Sequence, residues 1–453
     1  MQVGKVQKII ALFNEAFTRL GVDVSLERLE GLAVMIHRAM TAQARNFHTL
    51  DHVFAFVDSD EPIRTLAALY HDIVYFQVDM GFSAEIWDII SPYIRQERGE
   101  FYVSDSIPED DEPVRMALDV FNLTAGDKLS SVAALNEFLS ALVMIKAIGD
   151  LVTKKNLIRM LLCIEATIPF RGLNAQGQSH FEWMAEHLRF ISEKYQLLCS
   201  QEEIDSAIKT ATLFANKDIE NFAEYDPGRF LDNTWRLLPE TNAALRLPDV
   251  YSIGTYRQAL VKMYNFFSSL DAKQVFHQYQ GIPSDEDFHK MIDLADNNIS
   301  TACEYLRIKI LGIAVLEALA VVTGGDAPLS LFLGDVPREG TSIKRLEYFL
   351  PEIESRPWVD RSSTIYRLLE SGRASDTSFD MKNSPLSLFV YKCLPPVKFQ
   401  EALKNAHRMF RGEVTAAQFI SMLDTSLIQP IAQASAMMVI TRREKLSKYA
   451  GLA

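Results

Sequence analysis

Near the N-terminus, apolar residues recur every three or four positions. Val6, Ile9, Phe13, Phe17 and Leu20 make one such stripe, the spacing of one face of an α-helix. Gly21 then stands where a left-handed residue would end that helix. Ser25 is placed to cap a second helix, with Glu27 in its first turn, running to about Met40. Pro62 occupies a first helical position ahead of Ile63, Leu66, Leu69 and Ile73. The segments Ser131–Ile148, Lys154–Ile168, Phe181–Leu198 and Glu203–Phe222 carry the same helical period. Strand-like alternation is scarce, and no Asn-Gly or Asp-Gly hairpin signal appears. The pattern predicts an all-α protein.

Breaks in the pattern fall at Ile107–Pro113, Arg171–Gly177, Leu238–Asp249, Gln280–Asp287, Thr323–Pro328 and Gly372–Pro385. A division near residue 245 gives an N-terminal domain, 1–245, that holds the chemistry described next, and a helical C-terminal region, 246–453. Thr323-Gly324-Gly325-Asp326 lacks the Lys-Ser/Thr ending of a phosphate loop and reads as a turn. The Met437–Ile440 run with Arg442, Arg443, Lys445 and Lys448 predicts a terminal helix that docks on the body or binds a partner.

Composition narrows the function classes. The 453 residues are 48% hydrophobic and 23% charged, as in a globular protein. The net charge of −13 opposes a polyanion, so nucleic-acid binding is not expected. Cys163, Cys199, Cys303 and Cys393 lie far apart and form no CxxC pair, which fits a reducing compartment. Met1–Leu20 carries Lys5, Lys8, Glu15 and Arg19 and so lacks a signal-peptide core. The apolar run Ile310–Val322 is interrupted by Glu317 and is too short to span a bilayer. The expectation is a cytoplasmic protein without membrane contact. A homodimer would follow if one face of Ala302–Val322 stayed exposed.

One region concentrates chemistry. It reads Arg45-Asn46-Phe47-His48-Thr49-Leu50-Asp51-His52, then Tyr70-His71-Asp72-Ile73-Val74-Tyr75. His48 and His52 are four apart and share a face if helical. His71 and Asp72 are adjacent in the expected Pro62 helix. Imidazole nitrogen and carboxylate oxygen together suit divalent zinc, iron, manganese or magnesium. Asp218 lies within the apolar stripe Ile204, Ala207, Ile208, Ala211, Phe214, Ala215 and Phe222. A buried carboxylate there needs a metal ion or a basic partner. Glu165 is a second acid near an apolar stripe, with Thr167 and Arg171 just beyond.

Phe47-His48-Thr49-Leu50-Asp51-His52, His71-Asp72 and a late Asp218 resemble the HD superfamily of metal-dependent phosphohydrolases. The first element is similar to the Tyr-His-Asn-x-x-His of cyclic-nucleotide phosphodiesterases. It is closer to small bacterial predicted HD phosphohydrolases, which pair it with His-Asp-Ile-x-Tyr. Glu165-Ala166-Thr167 resembles their Ala-Thr step, although Ile168-Pro169-Phe170 stands where a histidine often follows. The His52-to-His71 spacing is shorter than in cyclic-nucleotide enzymes, and their second-metal histidine is absent after His71-Asp72. The Glu-Asp pair of guanosine-tetraphosphate hydrolases is also absent.

The resemblance implies an HD-like helical bundle and a hydrolase of a small phosphorylated substrate, a phosphomonoester or phosphodiester. It implies one divalent ion on His52, His71, Asp72 and Asp218, whose bound water, made acidic, supplies a hydroxide nucleophile. His180 and His187 are the spare histidines for a second ion. His48 is then the general acid, Arg45 (or, less directly, Lys217) orients the phosphate, and Glu165 is a further catalytic candidate. Two other classes stay open: a di-iron oxygenase on the same scaffold, and a non-catalytic helical binding protein with a vestigial site.

Overall fold

The protein is described by a computed structural model covering residues 4–42, 44–57, 60–108, 110–130, 134–248, 250–337, 343–354 and 356–451. The fold is all-α, with one small three-stranded antiparallel sheet among the described residues. The chain divides into two compact units. One comprises Met1–Ala223 with Asp271–Ala295, and the other Glu224–Leu270 with Asp296–Ala453. The expected boundary near residue 245 lies inside the second unit, and the first unit is discontinuous in sequence.

The first unit begins with α1 (Lys5–Arg19) and α2 (Leu26–Met40). Helix α1 buries Ile9, Phe13, Ala16 and Phe17. It closes as the sequence predicts: Gly21 takes φ 71°, its N–H reaches Thr18 O, and Val22 N–H reaches Phe17 O. That pair of bonds satisfies two orphan carbonyls. Ser25 Oγ caps α2 by accepting from Arg28 N–H. Then come α3 (Leu50–Phe56), α4 (Pro62–Tyr70), α5 (Phe76–Asp79) and α6 (Ala84–Ile90).

A hairpin follows, β1 (Ile94–Glu97) and β2 (Glu100–Val103), joined through Arg98 and Gly99 at φ 52° and 84°. Positive φ at both positions matches the twist of the strands. Arginine at the first of them is why no hairpin signal was legible. Next are α7 (Glu112–Val120), β3 (Lys128–Leu129), α8 (Leu135–Ile148), α9 (Lys154–Ala166), α10 (His180–Lys194) and α11 (Gln201–Asp218). The expected start of the α8 segment, at residues 131–133, lies outside the described residues. Helix α9 is buried along most of its length and packs against α4, α7, α8 and α11. Capping boxes at Ser179/Glu182 and Ser200/Glu203 start α10 and α11.

The second unit contains α12 (Pro227–Thr241), α13 (Ile253–Ser269) and the part of α14 (Asp285–Gly324) from Asp296 onward. Shorter helices follow. Its interior holds a charge network: Asp380 accepts from Trp235 Nε1 at 2.7 Å, Tyr256 Oη at 2.8 Å and Lys309 Nζ at 2.8 Å. The basic end of the chain docks within this unit, Arg442 donating to Ala320 O and Gly325 O at 2.9 and 2.7 Å. Among the described residues no helix is long and apolar enough to cross a membrane.

Candidate metal centre

Two helix C-termini and one short helix bring the acid and imidazole groups together. Helix α4 ends one residue before His71, whose N–H still bonds to Ala67 O. His71 and Asp72 therefore sit in the turn after the helix, not inside it as the apolar spacing suggested. Asp218 is the last residue of α11. The end of a helix carries partial negative charge, which favours a cation nearby. His52 lies on α3, and His48 precedes that helix in a bend, one residue before the N-cap position Thr49. The two rings nonetheless lie 6.0 Å apart edge to face, so the expected proximity comes from the bend rather than from a shared helix face.

His52 Nε2 is 3.2 Å from Asp218 Oδ1 and 3.7 Å from Asp72 Oδ2. His71 Nε2 is 3.1 Å from Asp72 Oδ2 and 3.5 Å from Asp218 Oδ1. The His52, His71 and Asp218 ligand atoms all fall within 4.8 Å of one another, the one such group among the described residues. The His71 side chain is 1% exposed and the other three between 15% and 20%.

Hydrogen bonding decides what each atom can offer. His71 Nδ1 lies 2.9 Å from Ala68 O. A carbonyl only accepts, so Nδ1 holds the proton and Nε2 faces the carboxylates, as a metal-ligating imidazole is held. His71 Nε2 and Asp72 Oδ2 are buried and have no well-formed hydrogen bond within the protein. Burial alone would keep His71 neutral, but Asp72 and Asp218 outweigh it and push its pKa well above the ordinary value. Burial alone would likewise raise Asp72, and His71, His48 and His52 reverse this, holding it far below the carboxylate range. Asp218 is lowered to about 2, the hydrogen bond to His52 and the neighbouring His71 overcoming its burial. Two ionised carboxylates and two convergent imidazole nitrogens fit a divalent cation.

Helix α8 supplies side chains that the sequence analysis did not single out. Asn136 Oδ1 accepts from Phe76 N–H at 3.1 Å, and Ser140 Oγ from Val74 N–H at 3.1 Å. Both fasten the loop that follows Asp72. Glu137, on the same helix, is raised to about 7, mainly by burial, with Asp72 and Asp218 adding to it and Arg171 opposing. Asn136, Glu137 and Ser140 break the apolar run at the start of a helix whose only other polar residue is Lys146, and that interruption is the sequence signal that marks them.

Two catalytic expectations need correction. Arg45 cannot orient a phosphate, because its side chain is fully buried and its donors are committed. Nε and Nη2 form a bidentate pair with Asp79 at 2.9 and 2.6 Å, and Nη1 donates to Asp72 O at 2.7 Å. Glu165 sits in a separate buried cluster, bonded to Arg171 Nη1 at 2.5 Å and His180 Nε2 at 2.9 Å. Burial would raise its carboxyl, but Arg171 and His180 hold it at about 2. Lys217 pairs with Glu220 on the surface. His187 donates to Asp119 O, so neither spare histidine joins His52 and His71. His48 stays by the site, its ring 4.4 Å edge-on from Tyr75 and within electrostatic reach of Asp72. No family model, no curated protein and no solved structure matches the chain.

Proposed function

We propose that the chain is a metal-dependent hydrolase of a small phosphorylated substrate, with His52, His71, Asp72 and Asp218 holding one divalent ion. The observation that carries this reading is the convergence of His52 Nε2, His71 Nε2, Asp72 Oδ2 and Asp218 Oδ1, where the buried His71 Nε2 and Asp72 Oδ2 lie 3.1 Å apart without a well-formed hydrogen bond. Bound there, the ion would supply an acidified water and neutralise charge on a phosphate oxygen. The chain's own part is to hold that ligand set rigid. Ala68 O fixes the His71 ring, Arg45 fixes the Asp72 carbonyl, and Asn136 and Ser140 fix the loop beyond. His48, at the rim beside Tyr75, is positioned to give a proton to the leaving oxygen. A single group of this kind among the described residues favours a one-ion hydrolase over a di-iron oxygenase.

The test is elemental analysis of protein purified without chelator, followed by manganese, iron, zinc and magnesium titrations and assay on phosphomonoesters and phosphodiesters. One ion per chain is expected, lost together with turnover in His71→Ala. Protein that takes up none of these ions ends the proposal.

A further inference from the structure

We infer that Tyr75 is a positioning residue, whose ring holds the His48 imidazole in the orientation from which it gives a proton to the leaving oxygen. The role of His48 rests on the hydrolase reading. The contact between the two rings does not.

His48 lies in the bend before α3, outside any helix. An imidazole there turns about two side-chain bonds, and few of the settings bring its proton within reach of a leaving oxygen. Three rings restrict it. Phe47 stands 4.9 Å away at an interplanar angle of 79°, His52 6.0 Å away at 80° and Tyr75 4.4 Å away at 88°. Edge-to-face packing of this kind is favoured by the ring quadrupoles. Phe47 and His52 belong to the same stretch of chain as His48. Tyr75 is the nearest of the three rings and reaches His48 from a separate segment.

Tyr75 serves as a fixed stop because its backbone is held on both sides. Val74 N–H donates to Ser140 Oγ and Phe76 N–H to Asn136 Oδ1, both at 3.1 Å. The Tyr75 carbonyl accepts from Val78 and Asp79 N–H at 3.1 and 3.0 Å. The two segments are also locked to each other. Arg45, three residues before His48, pairs through Nε and Nη2 with Asp79, four residues after Tyr75, at 2.9 and 2.6 Å. The separation of bend and turn is thus set independently of the rings, and the Tyr75 ring takes up the space beside His48. Both side chains are only partly buried, so the pair borders solvent, where a substrate approaches.

The experiment is a double-mutant cycle on full-length protein loaded with manganese. Steady-state kinetics are read on methyl and 4-nitrophenyl phosphate esters, together with metal content. Tyr75→Leu should keep its metal and its KM, and lose about ten- to a hundredfold in kcat on the methyl ester. The loss should be smaller on the nitrophenyl ester, which needs less help from an acid. Tyr75→Phe keeps the ring and should recover most of the loss. In a His48→Ala background Tyr75→Leu should cost nothing further, because the ring acts only through His48. If Tyr75→Leu does not fold, Tyr75→Met, which fills similar space without a ring, takes its place. A second readout needs no turnover. In protein labelled with 13Cε1 histidine, the resonance missing from His48→Ala identifies His48. Tyr75→Leu should shift that resonance more than any other histidine's, and Tyr75→Phe much less. Equal loss on both esters, the same loss in both backgrounds, no rescue by phenylalanine, or an unmoved His48 resonance overturns the inference. If no variant turns over any ester but the His48 resonance responds, the hydrolase reading fails and Tyr75 still positions His48.

Discussion

The His48 and His71 rings flank that of His52, at 6.0 and 5.7 Å, but are held in opposite ways. His71 has one nitrogen tied to Ala68 O and the other directed at two carboxylates, so its ring cannot turn. His48 sits in a bend before α3, beside Tyr75, outside the group that converges on one point. Replacing it tests whether it handles a proton or the cation. His48→Ala should retain metal and lose about 10²–10⁴-fold in turnover on esters with poor leaving groups. The loss should be smaller on an activated aryl phosphate, and metal loss in this variant would make His48 a ligand. Glu165 gives a stability test with a definite sign. Its folded pKa of about 2 lies below the ordinary 4.5. Its stabilisation is therefore complete above about pH 4.5 and is lost as pH falls toward 2. The size is about 3 kcal/mol. Glu165→Gln should be less stable than wild type by about that much at pH 7 in urea unfolding, with the gap closing below pH 4. A gap that stays constant with pH would assign the loss to packing instead.

At the scale of elements, the site depends on a turn braced from two sides. Arg45 bonds Asp79 and the Asp72 carbonyl from one side, and Asn136 and Ser140 of α8 hold Val74 and Phe76 from the other. Lysine at position 45 keeps the charge but not the fork. Arg45→Lys should cost about 1–3 kcal/mol in stability. It should also weaken metal binding about 10–100-fold, as loss of an outer-shell partner does. Unchanged metal affinity would show that the turn keeps its shape without the clamp. The same elements show what local patterns convey. Gly21, Ser25 and Pro62 act through residues a few positions away, and the end of α1 and the starts of α2 and α4 were legible from them. The apolar period carried through Ile73, yet α4 stops at Tyr70 because the turn bonds to Arg45 and α8 instead.

For the whole molecule, the proposed ligands His52, His71, Asp72 and Asp218 all belong to the first unit. An ion held at 100 times its dissociation constant stabilises the state that binds it by about 2.7 kcal/mol. Manganese should therefore slow amide hydrogen exchange in α3, α4 and the end of α11, and leave the protection of α12 and α13 unchanged. Exchange that slows equally in both units would mean that they open as one.

What the sequence determined by itself was local: a helical chain, its caps, and the conjunction of His48, His52, His71 and Asp72 within a few turns. These follow from interactions over three or four residues, and they survive in any arrangement of the helices. Tertiary structure decided which charges meet. Asp218, 166 residues from His52, comes within 3.2 Å of it because α11 packs on α9 and α9 on α4. Arg45 and Glu165, equally plausible in sequence as catalytic groups, were drawn to Asp79 and to Arg171 with His180. A buried charge must find its partner among whatever the packing brings near, and that neighbour is set by the whole fold rather than by adjacent residues.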